Sequence, residues 1–338
     1  MKLIISHYDG HGICLAAARY VISISIEDVD LLIRKDVTGP EGLSSGKILE
    51  AAKEKLDLSV DRIEVLDIAL DVQNPEASVE TLRKLGIYGK VLYADHHNID
   101  LERRYLRDLP LTQFTILLAR ETVELAMLLD LLNNEKAREL AIIGSVCDRD
   151  PAVLSLVSRQ QIESKYLPLA NKLDTIIRNP VTVGLSSLEE IAVKLAEEGI
   201  KFLESVEVEY PPEKISPKLT NKIIEESRRV LLVDWSDVSQ SEVMWVPKTL
   251  EQLLTIMKRD IVIAIVKAFR GSEIVGYDVR ILKYWLSNLN IDLRELVRDK
   301  KFVGHEGYVS VRFTSLEDAI KFAKEIFEKI EKLLSLTK

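Results

Sequence analysis

Over the first half of the chain, short apolar runs alternate with stretches of helical periodicity. The apolar runs are "KLIIS", "DVDLLIR", "RIEVLDIALD" and "GKVLYADHH", and helical stretches such as "GICLAAARYVI" and "SSGKILEAAKEKL" separate them. Strands that alternate with helices predict an α/β fold with a mostly parallel sheet and flanking helices. In such sheets ligands bind beyond the carboxyl ends of the strands. We therefore expect a binding site at that edge.

Histidine and aspartate residues gather where these runs end. The chain has five histidines, and all lie in three stretches, "SHYDGHG", "YADHHNID" and "FVGHEGY". One aspartate ends the "VLD" run and another ends the helical stretch "ELAIIGSVCD". The polar residues expected at the edge of the sheet are His7, Asp9, His11, Asp67, Asp95, His96, His97 and Asp148.

Imidazole and carboxylate groups in this number are enough to bind two divalent metal ions and leave positions open for water. Two neighbouring metal ions can activate a water and neutralise the charge of a phosphoryl group under attack. Asp67, at a buried strand end, is placed to bridge them. The competing interpretation is that aspartates such as Asp9 and Asp148 cap helices and turns.

Length and composition indicate two domains. The chain has 338 residues, of which 47% are hydrophobic, enough for a sizeable core in each domain. Prolines 211, 212 and 217 follow a helical stretch over 186–206 and break regular structure. We predict a first domain over 1–206, a linker over 207–218 and a smaller α/β domain over 219–338. Its predicted strands include "DIVIAIVKAF", "EIVGYDVRIL" and "YVSVRF".

Charge and hydropathy exclude some classes of protein. A net charge of −8 argues against a protein that binds nucleic acid through a broad basic surface. It does not argue against an enzyme that binds a phosphodiester through metal ions and a few arginines. No apolar run approaches the roughly 18 residues of a membrane span. The start "MKLIISHYD" turns polar too soon for a secretory signal. Two cysteines, both in apolar stretches, form no disulfide framework, so a cytoplasmic location is expected.

Six short motifs in order give the chain a family resemblance. They are "HYDGHG", "VLD", "DHH" and "GSVCD" in the first domain, then "YDVR" and "VGH" in the second. With these motifs the chain resembles the DHH phosphoesterase superfamily, and within it the two-domain DHH–DHHA1 branch that includes RecJ-like nucleases and nanoRNases. The resemblance covers nearly the whole chain.

The resemblance implies a role for each motif residue. One metal ion would be bound by His7, Asp9 and Asp67, and the other by His11, Asp67, His96 and Asp148. His97 would face the scissile phosphate or the leaving group, and Asp95 would orient a histidine. In the second domain, the resemblance implies that Arg280, Gly304 and His305 hold the substrate. For Arg280 the alternative is a surface ion pair at the end of a strand.

Two motifs depart from the family pattern. His11 stands where the family usually has an aspartate, and imidazole suits Mn²⁺, Co²⁺ or Zn²⁺ better than Mg²⁺. We therefore expect two divalent metal ions with Mn²⁺ preferred. The loop "VGHEGY" lacks the extra glycine and the small residues that the family usually has beside this histidine.

The resemblance implies a Mn²⁺-dependent phosphodiesterase. The expected activity is that of a single-strand-specific exonuclease on DNA or RNA, with 3′→5′ polarity favoured by the compact two-domain form and roles in DNA repair and replication. One alternative is a phosphohydrolase for pyrophosphate, cyclic dinucleotides or short oligonucleotides. The other is a non-catalytic accessory factor that binds a replicative DNA helicase through its second domain.

Overall fold

The computed structural model describes residues 1–56, 60–208, 222–243, 246–270, 272–287, 289, 291–305 and 307–336. The chain divides into two compact units, Met1–Tyr210 and Pro211–Lys338. Residues 209–218 of the predicted linker lie outside the described residues. The exact domain bounds therefore stay a prediction.

The described residues of the first unit form a sheet with helices on both faces. The strands are β1 (Lys2–Ser6), β2 (Val29–Leu32), β3 (Arg62–Leu66), β4 (Lys90–Asp95) and β5 (Phe114–Leu118). The α-helices are α1 (Gly10–Ser23), α2 (Pro40–Ser44), α3 (Lys47–Leu56), α4 (Pro75–Gly86), α5 (Ile99–Leu106), α6 (Thr122–Leu128), α7 (Glu135–Cys147), α8 (Arg159–Gln161), α9 (Leu167–Arg178), α10 (Leu188–Glu198) and α11 (Ile200–Ser205). Pro151–Ser155 and Pro180–Val183 are 3₁₀-helical, and Ile162–Tyr166 is π-helical.

The strand pairs of this sheet are all parallel, in the order β2-β1-β3-β4-β5. Ile63 and Val65 of β3 face a core that α3, α4 and α5 cover, while Glu64 between them bonds to Arg19 of α1 on the other face. Strands buried on both faces are typical of parallel sheets. The predicted fold class is thus confirmed, and the carboxyl ends of β1, β3 and β4 lie side by side.

The structure differs from the sequence-based prediction in several local elements. Strand β5 was not predicted. The sequence pattern over 119–133 predicts one helix, and the structure has the shorter α6 there. The helix expected over 186–206 is interrupted at Gly199, whose positive φ of 66° ends α10. The pattern of "LERRYLR" predicts either arginines that meet a phosphate backbone or a solvated basic turn. Most of the segment lies in helix α5, on which Glu102 and Leu106 are buried.

The second unit contains a mixed sheet between helices. Its strands are β6 (Ile223–Glu226), β7 (Val230–Trp235), β8 (Ile261–Arg270), β9 (Glu273–Lys283), β10 (Phe302–His305) and β11 (Tyr308–Phe313), in the order β10-β11-β9-β8-β7-β6. Its helices are α12 (Gln240–Val243), α13 (Val246–Met257), α14 (Leu293–Leu296) and α15 (Leu316–Leu336). Helices α14 and α15 pack on one face and α13 on the other. This confirms the predicted second α/β domain.

Arg280 lies in the interior of a strand, which corrects the expectation that it closes one. Strand β9 continues to Lys283 because its last residues pair with the start of β8, with Lys283 opposite Ile261. Arg280 itself pairs with Ala264 on β8 and Ser310 on β11. In the described part of both units, no helix combines the length and the apolar character needed to cross a membrane.

Candidate metal centre

The first histidine motif lies between β1 and α1. Asp9 is the N-cap of α1, and its Oδ1 accepts a hydrogen bond from the Gly12 amide at 2.9 Å, which satisfies one of the free amides of the first turn. Its Oδ2 lies 2.6 Å from Nδ1 of His7. The turn requires glycine at position 12, because a Cβ there would lie 2.4 Å from the carbonyl oxygen of His7. His11 follows in the first turn of α1 and is buried.

Asp67 directly follows β3 and occupies the centre of the site. Its φ of 59° is left-handed, a conformation that aspartate adopts more readily than most non-glycine residues. Its amide donates to the carbonyl oxygen of Ala94 in β4 at 2.8 Å. The Asp67 side chain is 1% exposed, with Oδ1 3.0 Å from Nδ1 of His11 and 3.1 Å from Nε2 of His96.

Asp148 reaches the same two imidazoles from helix α7. It is the C-cap of that helix, and its Oδ2 lies 3.3 Å from Nδ1 of His11 and 3.1 Å from Nε2 of His96. A carboxylate at a helix C-terminus meets the negative end of the helix dipole, where a cation is favoured. Helix α7 approaches α1 at Gly144, where a Cβ would lie 3.0 Å from Cδ2 of His11 and 3.1 Å from Cβ of Cys14. The glycine of "GSVCD" thus permits the contact.

The potential ligand atoms of the described residues form three groups that share Asp67. The first group contains His7, Asp9 and Asp67, and the second contains His11, Asp67, His96 and Asp148. The third contains Asp67, Asp95 and His97. Within each group, one ligand atom from every residue lies within 4.8 Å of the others. The structure thus brings together the residues of the two ligand sets that the resemblance implies. Their role as metal ligands stays a prediction.

Two buried atoms of the second group fit a metal ion better than they fit their protein neighbours. Among the described residues, Asp67 Oδ2 and His96 Nε2 have no hydrogen-bond partner. The His96 nitrogen lies 3.1 Å from carboxylate oxygens of both Asp67 and Asp148 without the geometry of a hydrogen bond to either. Buried polar atoms without partners are rare. A divalent cation would satisfy both atoms, and this mixed nitrogen and oxygen donor set suits Mn²⁺ or Zn²⁺.

The charges of the site favour an added cation. Burial raises the pKa of the Asp67 carboxyl, but His11 and His96 outweigh burial and hold that pKa well below its usual range. Burial lowers the pKa of His96, but Asp148 and Asp67 outweigh it and raise that pKa well above its ordinary value. The pKa of His11 is raised against burial by Asp67 and Asp148. Metal binding would therefore displace protons from these imidazoles.

His97 differs from the other histidines of the centre because its side chain is 40% exposed. Asp95 accepts a hydrogen bond from the His97 amide at 2.9 Å, and its Oδ1 lies 3.0 Å from Nδ1 of the ring. Burial lowers the pKa of His97, but the charge and hydrogen bond of Asp95 outweigh burial and raise the pKa to about 10. Asp95 thereby orients the ring and leaves Nε2 available, as the resemblance implies for a residue that faces substrate.

In the second unit, Gly304 is required by the β10–β11 hairpin. Its φ is 139°, and a Cβ there would lie 2.1 Å from the carbonyl oxygen of Tyr308. His305 pairs with Tyr308 in the same hairpin, and the His305 side chain lies outside the described part of the structure. The backbone alone accounts for the glycine of "VGH", so a role of Gly304 and His305 in substrate binding stays a prediction.

Arg280 has charge that its neighbours do not fully compensate. Within the described residues, its Nε is buried without a hydrogen-bond partner. Asp278 Oδ2 lies 3.6 Å from the Arg280 guanidinium, but Asp278 already accepts two hydrogen bonds from Arg312, at 2.8 and 3.2 Å. Asp278 is therefore shared between Arg280 and Arg312, and both the ion-pair role and the substrate role of Arg280 stay predictions.

Sequence reasoning missed Glu102, which lies behind the centre. Glu102 is fully buried in α5 and accepts a hydrogen bond from the Tyr93 hydroxyl at 2.8 Å. A weak signal for it was present, because Glu102 and Leu106 are four residues apart and so share one face of a helix. Because the segment around Glu102 is rich in arginine, the sequence gave no reason to predict that this acidic residue is buried.

Comparison with known proteins identifies the fold. No family model matches the chain, and no curated protein matches it. The solved structure of a pGpG-specific phosphodiesterase, PggH from Vibrio cholerae, is similar over 98% of this chain and 99% of its own, with a TM-score of 0.50 and 13% identity. RecJ from Thermus thermophilus, solved with Mn²⁺, is similar over 98% of this chain with the same TM-score and identity.

This chain has the fold of PggH and of the matching part of RecJ. The resemblance predicted from the six motifs is thereby confirmed at the level of the fold. The chain matches 52% of the length of that RecJ, so it spans about half of the larger protein. At 13% identity the similarity establishes architecture, and the chemistry has to be argued from the site.

We predict that Asp67→Asn abolishes tight Mn²⁺ binding while the protein stays folded. Asparagine tolerates the left-handed backbone of position 67 and keeps the shape of the side chain, so the substitution removes little besides the shared charge. The Mn²⁺ affinity measured by calorimetry should fall by about 100-fold or more. Losing a residue that only orients a metal ligand already lowers metal affinity by about 10–100-fold, and losing a ligand should cost at least as much.

Asp130→Asn is the matched control for this variant. Asp130 also has a left-handed φ, of 57°, but it is exposed and bonds only locally, to Asn133. Its substitution should leave Mn²⁺ binding unchanged. A folded Asp67→Asn protein with wild-type Mn²⁺ affinity would contradict the shared-ligand arrangement.

We predict that His11→Asp lowers the preference for Mn²⁺ over Mg²⁺. The substitution replaces a nitrogen ligand by the oxygen that Mg²⁺ prefers and adds a negative charge. Calorimetry with each metal should give a smaller ratio of Mn²⁺ to Mg²⁺ affinity than in wild type. His11→Asn, a neutral oxygen donor, separates ligand type from charge. If the ratio is the same in all three proteins, His11 does not bind metal.

Proposed function

We propose that this chain is a Mn²⁺-dependent phosphodiesterase that hydrolyses short single-stranded nucleic acid from an end. The observation that carries the proposal is the pair of ligand groups that share Asp67 at the carboxyl edge of a parallel sheet. PggH, which has the same fold, is a pGpG-specific phosphodiesterase, and the RecJ with this fold was solved in complex with Mn²⁺. Both support the proposal.

The residues of the centre would have different roles in the proposed hydrolysis. His7, Asp9 and Asp67, and His11, Asp67, His96 and Asp148, would hold two divalent metal ions, which would supply water activation and charge neutralisation at the phosphate under attack. Asp67 sets the spacing of the two ligand groups because it belongs to both. In this proposal His97 would donate a proton to the leaving oxygen; its 40% exposed side chain and its contact with Asp95 support that role.

Arg280 supplies a phosphate contact from the second unit in this proposal. Its guanidinium retains donor capacity, since Asp278 is already paired with Arg312. Arginine favours phosphate because its planar donors match two phosphate oxygens. A contact of this kind would position the substrate without binding metal.

A dinucleotide is the second candidate substrate, and the similarity to PggH favours it. PggH is a pGpG-specific phosphodiesterase, and the match covers 99% of that protein. An exonuclease with 3′→5′ polarity and a dinucleotide hydrolase would use the same proposed centre and differ in how much nucleic acid they hold.

The ligand set also bears on the alternative of a helicase accessory factor. A non-catalytic protein has no need to keep a carboxylate or an imidazole at each of the six positions, and this chain has one at every position. The arrangement therefore favours catalysis.

The decisive experiment compares substrates and metals in one assay. A long oligonucleotide of DNA or RNA, labelled at the 5′ or the 3′ end, is incubated beside a dinucleotide with Mn²⁺, Mg²⁺ or EDTA. We expect turnover with Mn²⁺, weaker turnover with Mg²⁺ and none with EDTA. Shortening from the 3′ end supports the exonuclease, and dinucleotide cleavage alone supports the second candidate. No turnover of any substrate would refute the proposal and favour the accessory role.

We predict that Arg280→Ala weakens cleavage and leaves Mn²⁺ affinity unchanged. A charge-assisted hydrogen bond contributes about 1.5–3 kcal/mol, and each 1.4 kcal/mol is about a factor of ten, so kcat/KM should fall about tenfold or more. Arg294→Ala, which removes an arginine already bonded to Asp292 in the same unit, is the control and should keep wild-type kcat/KM. Equal kcat/KM for both variants would exclude Arg280 from substrate binding.

A further inference from the structure

The second unit contains a cavity of about 470 Å³ with basic side chains on its wall. Three elements form it: the turn between β6 and β7, the turn after helix α13 and the last turns of α15. Its charged lining residues are Arg228, Arg229, Lys258, Asp260 and Glu331. None of these residues belongs to the candidate metal centre or to the motifs "YDVR" and "VGH", so the cavity is a separate candidate site.

The two acidic residues of this cavity already have protein partners. Asp260 Oδ2 accepts a hydrogen bond from Nε of Arg229, and its Oδ1 accepts one from the Ser287 hydroxyl at 2.7 Å. Glu331 Oε1 accepts a hydrogen bond from the hydroxyl of Ser227, which also lines the cavity. These bonds use most of the acceptors that a cation would need.

The basic residues, in contrast, retain unused donors. Arg228 and Lys258 have no ion pair or side-chain hydrogen bond in the part of the chain that the structure describes. Arg229 bonds to Asp260 through Nε, and its two terminal nitrogens make no hydrogen bond to a described residue. Free donors on three cationic side chains around one cavity favour an anionic ligand, and guanidinium groups match the oxygens of phosphate in pairs.

A simpler explanation for Lys258 is its position directly after helix α13, where the helix dipole favours a cation. Arg259 already fills that role, because its guanidinium donates to the carbonyl oxygen of Met257 at 2.7 Å. Lys258 makes no such bond to the helix. Its ammonium group is therefore available to a ligand in the cavity.

A second cavity, of about 630 Å³, adjoins the first and is more apolar. Arg229 and Leu334 line both cavities, and Leu296 and Leu333 are among the apolar residues of the second. Lys329, also on its wall, donates to the carbonyl oxygen of Leu296 at 3.0 Å. Each cavity has a volume typical of sites for small molecules, about 300–1,000 Å³. A basic cavity beside an apolar one suits a ligand that has a phosphate at one end and a ring at the other.

We propose that these two cavities bind a mononucleotide, with its phosphate against Arg228, Arg229 and Lys258 and its base against the leucines of the apolar cavity. The proposal goes beyond the phosphodiesterase function and does not depend on it, because no residue of the metal centre takes part.

Calorimetry on the full chain in EDTA tests the ligand class without metal ions. Inorganic phosphate, the ribonucleoside 5′-monophosphates and the corresponding nucleosides are titrated in turn. We expect at least one monophosphate to bind about tenfold or more tightly than inorganic phosphate and than its own nucleoside, since each of these lacks one of the two groups that the cavities hold. Equal affinity for a monophosphate and inorganic phosphate, or no binding of any monophosphate, would overturn the inference.

Substitutions of the lining residues locate the ligand. Arg228→Ala and Lys258→Ala remove exposed side chains and should each weaken binding of the mononucleotide about tenfold. Leu333→Ser should weaken the mononucleotide several-fold and leave the affinity for inorganic phosphate unchanged. Lys321→Ala, which removes an exposed lysine of α15 that lines neither cavity, is the control and should keep wild-type affinity.

Arg280→Ala separates this site from the proposed substrate contact. We expect the Arg280 variant to keep the mononucleotide affinity that Arg228→Ala and Lys258→Ala lose. The opposite pattern would assign the binding to the substrate site and overturn the inference. Because the measurement needs no turnover, a protein that binds the mononucleotide through Arg228 and Lys258 but cleaves no substrate supports this site and refutes only the phosphodiesterase proposal.

Discussion

Mutual repulsion between buried carboxylates is the constraint on which the site depends. Asp67 and Asp95 are almost fully buried, and Asp148 approaches Asp67 closely enough to share two imidazoles with it. A buried charge that loses its partner destabilises a protein by about 3–5 kcal/mol. Every carboxylate of the centre therefore needs positive charge or a hydrogen-bond donor beside it. The adjacent histidines supply both, and they leave atoms that a divalent cation would satisfy.

The backbone is shaped to bring these groups together. Three residues shape the backbone at the site. Gly12 permits the turn after His7, Asp67 adopts a left-handed conformation after β3, and Gly144 lets α7 approach α1. Of these three residues, Asp67 also has side-chain atoms that could bind a metal ion. The parallel sheet then aligns the strand ends, so residues far apart in sequence meet at one edge.

The two units carry different groups that the proposed function would use. The first contains the candidate metal ligands and His97, and the second contains Arg280, whose Nε has no hydrogen-bond partner among the described residues. The same architecture occurs in PggH and in RecJ. Since one fold serves proteins of such different length, substrate choice depends on the residues around the centre, and the fold alone does not determine it.

The sequence by itself determined the α/β class, the edge of the sheet at which the site forms, and the residues gathered there, because alternating periodicity and residues at strand ends are local properties of the chain. It also separated the two ligand sets, through the family resemblance. Only the tertiary structure shows that Arg280 lies inside β9, that its neighbour Asp278 accepts a hydrogen bond from Arg312, and that Glu102 is fully buried. These features depend on strand pairing and on contacts between separate elements. A local pattern contains no information about either, so the partners of a charged side chain become visible only when the chain is folded.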